Sequence, residues 1–569
     1  MHWTGNPFVD AGLAALAAVL RVSSLEDIEP EDLEKASAKL QSVLLSDQAL
    51  GIGVERAFVS GPLSKLFPNS EIVNPAPFLV EVGGKRRDVR ALLSTNPVIP
   101  EWQEVLCKAK ERLRESLKLD LHRAQICLTQ EGKAICMFCG RFTPEESTTF
   151  IRKDKMPLLG GIVNFYPAFS WGVQICGLCA FALRFLPFSV MRAGGRLWIL
   201  HTHSLPVAAR IAEQYGWHHC NAAIAQNKAL DFYGSWETVG EDSTVAYVLC
   251  ELLDTFPHEL STVYREPLPT TAYVFSNDNQ GGYIRAVQIP NDFLVFLAKL
   301  QVHSFTAFRR FWRELLFIPE NLPKQEWKER ASFVQEVAHR MMQKEDLIKR
   351  CLDNETWKLA GGWFGHRLYL QEVRKMSVEK LSILERLGMM LAETGDSKKR
   401  INELKTAHYR DLYGIFLNYV REGFLKSEEF YALFPPNDDT SCSEARDIVL
   451  AVVYEWQRCR EKGETFQPLG NIPVLTSDTT VQRVQDIGTR LLSQLSNPSK
   501  WIGQLRTAKT AEGVRRVYLL AVQQGALSFA DFVFLVPFDN QHRLWLLRDY
   551  LMAFLFDRAR DVLPQEEEV

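Results

Sequence analysis

Four cysteines in this chain are spaced for metal chemistry. Cys136-Met137-Phe138-Cys139-Gly140 and Cys176-Gly177-Leu178-Cys179-Ala180 form two C-x-x-C pairs, the four-thiolate set that a tetrahedral structural zinc takes. A C-x-x-C turn points both sulfurs the same way. Gly140, directly after the first pair, accepts the positive φ that turns backbone N–H groups toward sulfur. The second pair runs into the apolar stretch Ala180–Phe185, which reads as a helix as far as Pro187, and a helix N-terminus favours thiolate charge. Four thiolates saturate the ion and leave no water to activate, so the predicted role is structural. Two other readings fit the same residues: buried cysteines acting as small hydrophobes, or a pair of redox C-x-x-C motifs. The 36 residues between Cys139 and Cys176 exceed the usual ribbon spacing of about 15–20. The expected site therefore carries an insertion, residues 140–175, and clamps its two ends together.

Other residues suggest weaker chemistry. His201-Thr202-His203 follows an apolar strand, Gly195–Leu200, and two histidines two apart on a strand share a face. With no carboxylate nearby in register they read as structural, as do His218-His219-Cys220. Lys85, Arg86, Arg87 and Arg90 crowd the second strand of a hairpin expected over Phe78–Val82, Gly83-Gly84 and Lys85–Arg90. So much charge suits either a protected edge strand or phosphate contact. Lys85, Arg86, Arg87, Arg152 and Lys153 are the candidate phosphate ligands. Thr271–Phe275 and Tyr283–Ile289 alternate like paired strands, and the polar stretch Ser276–Gly282 between them reads as a long loop. Its Asn277, Asn279 and Gln280 are candidates for base edges, against the plainer reading of a surface turn. There is no G-x-x-x-x-G-K-[ST], H-E-x-x-H or G-x-S-x-G, and Gly51-Ile52-Gly53 lacks the third glycine of a dinucleotide fingerprint. No nucleophile and base can be paired, so no catalytic residue is assigned, which weakens every enzyme reading without excluding one.

The elements that must position these residues follow from pattern. Asn6 is a good N-cap and Pro7 suits the first helical position, which predicts a helix from Pro7 to about Leu20. A second helix is expected near Glu29–Leu45, and Pro206–Tyr215 also reads as helical. From Phe305 onward the chain is mostly helical, with Val334, Val337, Ala338 and Met341 on one face. Further stripes are Leu404/His408/Leu412/Ile415/Tyr419, Ala445/Ile448/Val452/Trp456/Cys459, Val484/Ile487/Leu491/Leu495 and Leu544/Leu547/Leu551/Phe554. Glu461–Asp478 reads as a connecting loop, and the acidic end Gln565–Val569 as frayed.

The fold class expected is α+β: a mixed N-terminal region with an inserted four-cysteine zinc ribbon, then a C-terminal all-α helical bundle. Expected divisions are an N-terminal α/β region (1–130), the zinc-binding insertion (131–200), a middle region passing from α/β to helical (201–375) and the bundle (376–569). Among 569 residues there are 34 Phe and 13 Trp, generous anchors for internal or subunit interfaces. The net charge of −3 means that any nucleic-acid contact must come from local basic clusters. In the bundle Lys398, Lys399, Arg400, Lys405, Arg515 and Arg516 are candidates to face a single strand, or simply solvated helix faces. Eleven cysteines, scattered apart from the two pairs, fit a reduced cytoplasmic protein. The run Ala11–Leu20 has no lysine or arginine before it and is not a signal peptide. No run approaches the ~20 apolar residues of a membrane span.

Taken together, the opening Trp3-Thr4-Gly5-Asn6-Pro7-Phe8-Val9-Asp10-Ala11-Gly12, the two C-x-x-C pairs and the helical last third resemble the CXXC–CXXC family of CRISPR-associated proteins. These are large subunits of type I (I-B-like) Cascade, the "Cas eight" class. The resemblance implies a non-catalytic subunit of a CRISPR RNA-guided complex acting in antiviral defence. Such subunits recognise the short motif flanking the target in duplex DNA (the PAM), aid strand opening and recruit a helicase-nuclease. In transposon-associated versions they help recruit transposition factors instead. The implied partners are the other Cascade subunits, CRISPR RNA, target double-stranded DNA and that downstream effector, with no membrane; the implied cofactor is structural zinc. In this family an internal start can yield a separate small subunit, and the apolar stripes after Met376, Met389 and Met390 suggest that residues 376–569 could fold without the N-terminal part. A zinc-ribbon nuclease and a zinc-stabilised scaffold are the alternatives.

Overall fold

The computed structural model describes residues 1–46, 79–82, 85–88, 102–151, 173–193, 196–218, 220–221, 240–255, 269–278, 281–319, 322–435, 441–466, 479–536 and 541–558. The chain forms two compact units: Met1–Phe305 with Leu316–Gln343, and Thr306–Leu315 with Lys344–Val569.

The first unit is built around helix α1 (Pro7–Leu20). Asn6 Oδ1 accepts from the N–H groups of Phe8 and Val9 at 3.1 and 3.2 Å, and Pro7 takes the first helical position as the sequence predicts. Every residue from Phe8 to Ala17 is buried, so α1 has neighbours all round and is a core helix rather than an amphipathic cover. Helix α2 (Pro30–Leu44) matches its expected span, and strands β1 (Leu79–Val82) and β2 (Lys85–Asp88) pair antiparallel with Val82 opposite Lys85. Helix α3 (Trp102–Thr129) buries Leu113, Leu117, Asp120, Ala124 and Cys127, a stripe spaced alternately four and three.

The cysteine region follows. Its strands are β3 (Ala134–Ile135), β4 (Phe142–Thr143), β5 (Thr148–Ile151) and β6 (Val173–Cys176), paired as two antiparallel ribbons, β3 with β4 and β5 with β6. Helix α4 (Gly177–Leu183) starts at once after β6. Next come β7 (Met191–Ala193), β8 (Arg196–Thr202), α5 (Leu205–Ile211) with a π turn over Ala212–Trp217, and α6 (Glu241–Thr255). Strands β9 (Thr270–Asp278) and β10 (Gly281–Ile289) complete a four-stranded antiparallel sheet, β10-β9-β8-β7, on which α1 packs. The long polar loop expected over Ser276–Gly282 is corrected. Asp278 pairs with Gly281 in register, because the backbone ladder continues regardless of how polar its side chains are. Helices α7 (Asn291–His303) and α9 (Lys324–Gln343) follow, with α8 (Phe305–Leu316) between them in sequence but belonging almost wholly to the second unit, and α9 buries Val334, Val337, Ala338 and Met341 as expected.

Among its described residues the second unit is helical apart from strands β11 (Leu352–Asp353) and β12 (Lys358–Leu359). After α10 (Ile348–Cys351) and α11 (Trp363–Glu372) its helices are α12 (Val378–Glu393), α13 (Ser397–Thr406), α14 (Tyr409–Arg421), α15 (Ser427–Leu433) and α16 (Ser441–Lys462). Then come α17 (Thr479–Gln494), α18 (Pro498–Thr507), α19 (Ala511–Gln523), α20 (Phe529–Leu535) and α21 (Gln541–Arg558). The stripe Leu404–Tyr419 is not one helix: α13 ends at Thr406, and His408 is exposed in extended conformation before α14. Leu404, Leu412, Ile415 and Tyr419 are all buried, so the apolar spacing survives a break that it cannot reveal.

The helices after residue 376 depend on what precedes them. Glu385 is fully buried on α12, where Trp363 Nε1 donates to it at 2.6 Å and Arg367 pairs with it at 3.1 Å. Glu455 on α16 holds Arg310 at 2.6 and 3.1 Å. Without the residues before 376, Glu385 loses both partners, and stranding a buried charge costs about 3–5 kcal/mol, whereas Glu455 loses Arg310 but keeps Arg458 at 2.8 Å. Residues 376–569 expressed alone, the expected product of an internal start, are therefore predicted to be a loosened helical state: helical by far-ultraviolet circular dichroism, but without a cooperative melt. Among the described residues no helix is long and apolar enough to cross a membrane.

Candidate metal centre

The four cysteines converge from two ribbons and a helix. Cys136 follows β3 and Cys139 closes its knuckle, while Cys176 ends β6 and Cys179 lies in the first turn of α4. Their sulfurs all lie within 4.8 Å of one another, with Cys136 to Cys179 and Cys139 to Cys176 both at 3.7 Å. A zinc–sulfur bond of about 2.3 Å gives a tetrahedron edge of about 3.8 Å. A disulfide needs about 2.05 Å, and all four are free thiols. The donor set and its spacing fit a tetrahedral metal such as zinc. Gly140 takes φ +69°, its N–H donates to Cys136 O at 2.9 Å, and the N–H groups of Cys139 and Arg141 point to the sulfurs of Cys136 and Cys139.

Each thiol perturbs the others. Contact with Cys139, then Cys176 and Cys179, holds Cys136 far below an ordinary thiol. Cys136 pushes Cys139 up, but Cys176 and Cys179 outweigh it and bring Cys139 down. Cys176 is driven up by Cys127 and then by the other three thiols, and Cys179 by Cys136 first. A divalent cation resolves this conflict by taking all four as thiolates. Cys127 is a participant that the sequence did not reveal. It is buried on α3 with its sulfur 3.0 Å from Thr143 Oγ1, and contact with Cys176 lowers it to about 5. A lone cysteine on a helix has no spacing to read.

The opening decapeptide serves the same centre. Asp10 is buried and its carboxylate collects the N–H and Oγ1 of Thr4 at 2.8 and 2.7 Å, the N–H of Gly5 at 3.0 Å and His201 Nε2 at 2.9 Å. His201 is thus a structural histidine, held by a carboxylate from far away in sequence. A Cβ on Gly12 would sit 2.1 Å from Ala182 O, so glycine there lets α1 cross α4 in backbone contact. The C-terminal side of α4 is tied to α3 by Arg184, whose guanidinium meets Asp120 at 2.6 Å and Ser116 Oγ at 2.6 Å. Met1, His2, Thr4, Val9 and Leu13 line one small cavity with Cys139, Arg141, Leu178 and Cys179. The two sequence motifs therefore meet at one place.

Burial separates the remaining thiols. Desolvation pushes Cys220 and Cys442 up to about 12, whereas Cys107 is exposed. Brief alkylation of the native protein is expected to label Cys107 first. A chelator should then add Cys136, Cys139, Cys176 and Cys179 and leave Cys220 and Cys442 unmodified, as read by peptide mass spectrometry.

The candidate nucleic-acid residues are placed only in part. Lys85, Arg86 and Arg87 occupy β2 opposite Val82, Glu81 and Val80, and Asn277 lies on β9 opposite Gly282. Arg152, Lys153, Asn279 and Gln280 lie outside the described residues. In the helical unit Arg400 binds Asp396 and Glu422, and Lys405 donates to Asn354 O while lying over the Trp357 ring. Those two cations are engaged within the fold; Lys398 and Lys399 are exposed.

Residues 129–191 match the family model described as CRISPR-associated protein (Cas_CXXC_CXXC), which spans the whole quartet. Neither the curated proteins nor the solved structures contain a match to the chain.

Proposed function

We propose, from the match of residues 129–191 to the CXXC–CXXC family of CRISPR-associated proteins, that this chain is the non-catalytic large subunit of a type I CRISPR RNA-guided complex. The observation that carries the reading is the coincidence of the family match with the segment whose four sulfurs are gathered at tetrahedral spacing. Cys136, Cys139, Cys176 and Cys179 hold a structural zinc that fixes two ribbons and α4 as one body. In such a complex the guide RNA reads sequence by base pairing, and protein reads a few flanking base pairs and holds strands by their backbones. The partners are the other Cascade subunits, CRISPR RNA, target duplex DNA and a helicase-nuclease or transposition factors. Cytoplasmic location follows from that role. Affinity purification of the tagged chain from cells expressing its neighbouring genes tests the reading. A discrete small RNA should co-purify; the chain recovered alone and free of RNA would overturn it.

Within this reading two groups of residues separate on mutation. Asn277, Asn279 and Gln280 approach the flanking duplex, and Lys85, Arg86, Arg87, Arg152 and Lys153 meet phosphates. Alanine at the three amides is expected to change which flanking motifs are bound, by about 1–3 kcal/mol per good base contact. Alanine at Lys85, Arg86 and Arg87 should weaken every sequence alike and flatten the salt dependence. Binding assays across a flanking-sequence library at two salt concentrations read both. Unchanged preference in the amide variant contradicts the assignment of these amides to the flanking duplex.

A further inference from the structure

The ribbons that gather the cysteines also expose an apolar surface. Ile135, Met137, Phe142 and Phe150 are 50%, 63%, 58% and 50% exposed. Their positions are related. Ile135 and Phe142 are register partners across β3 and β4, so they share a face. The Met137 N–H donates to Gln174 O at 3.1 Å, and Gln174 is the register partner of Phe150, which brings Met137 and Phe150 to the same residue of β6. Single exposed apolar side chains are ordinary, but four within residues 135–150 of a small ribbon, two of them phenylalanines, form a patch of the kind that binds.

The charge at its rim indicates what binds. A Cβ on Gly132 would lie 2.3 Å from the Thr143 carbonyl carbon and Pro144 N, so the chain crosses there in backbone contact. That crossing sets Glu131 at the same end of the β3–β4 ribbon as Glu145 and Glu146. Among the described residues at this end all three glutamates are exposed, against one exposed ammonium, Lys133. Three carboxylates beside Phe142 repel phosphates, which argues against bases stacking on these rings, and attract lysine and arginine. We propose that this face docks a protein partner presenting apolar side chains within a basic rim. The inference rests on the function proposed above, in which that partner is a neighbouring subunit of the complex.

The test uses the full chain co-expressed with the proteins encoded beside it, with the affinity tag on a neighbour. Wild type is compared with Phe142→Asp, with the gentler double variant Ile135→Ser/Met137→Ser, and with Glu145→Lys/Glu146→Lys. Metal content and melting temperature are checked for each variant. Recovery of the chain with its neighbour should fall about tenfold or more in Phe142→Asp and measurably in the other two, with metal unchanged. Equal recovery of all variants, with wild type assembled, overturns this surface alone. Assembly retained with lost binding to a fluorescent 20-nucleotide oligothymidylate also overturns it, since the face would then serve nucleic acid. If wild type is recovered with no neighbour and no RNA, this inference and the proposed function fall together.

Discussion

Cys176→Ser is expected to strip the metal and unfold the region around it. Cys176 is fully buried at the junction of β6 and α4, where one sulfur serves both the quartet and Cys127. Isolated zinc modules gain roughly 10–16 kcal/mol from their ion, so a ribbon that loses a thiolate loses most of what orders it. The effect should spread, because Cys136, Cys176 and Cys179 belong to the same buried core as Phe8, Val9 and Leu13 of α1. Metal analysis should fall from about one zinc per chain to a small fraction of that. Limited proteolysis should then cut between residues 129 and 191. Cys250→Ala, equally buried but distant in sequence from the quartet, is the control: it should keep its metal and cost about 1 kcal/mol.

Asp10→Ala is the second large effect. It removes the common acceptor of Thr4, Gly5 and His201 and leaves the part-buried Thr4 and His201 donors without it, while the N–H of exposed Gly5 can turn to water. Each buried donor stranded in this way costs about 1–3 kcal/mol, and we expect about 3–5 kcal/mol in all. Denaturant unfolding followed by tryptophan fluorescence measures it. His201→Gln keeps a donor near Asp10 and should cost less than half as much. Because Thr4 lines the cavity beside Cys139 and Cys179, Asp10→Ala should also speed zinc loss to a chelator, by about tenfold if one supporting residue of the centre is worth what such residues usually are.

What was legible in the sequence is what local rules write. Asn6-Pro7 marks the start of α1, and the stripes Val484–Leu495 and Leu544–Phe554 are buried as their spacing requires. The quartet was legible because thiol spacing is a covalent constraint on which sulfurs can converge. The rest is set by contacts between distant parts of the chain. Asp10 and His201 are 191 residues apart, and no window of sequence joins them. Cys127 was hidden for the same reason. Ser276–Gly282 looked like a long loop because side-chain polarity speaks for exposure, while strand β9 runs to Asp278 and is held by its backbone. His408 looked like a member of a stripe because a break between two helices on one core preserves the apolar period. Arg400 and Lys405 looked like free cations until their partners, Glu422 and Asn354, came to them from other elements.

The central claim, a structural zinc held by four thiolates, is tested most directly by zinc-edge X-ray absorption on the purified full-length protein, with metal content measured on the same sample. The account predicts about one zinc per chain and a single shell of four sulfurs at about 2.3 Å. A shell containing nitrogen or oxygen, or a fully folded protein carrying no metal, would contradict it.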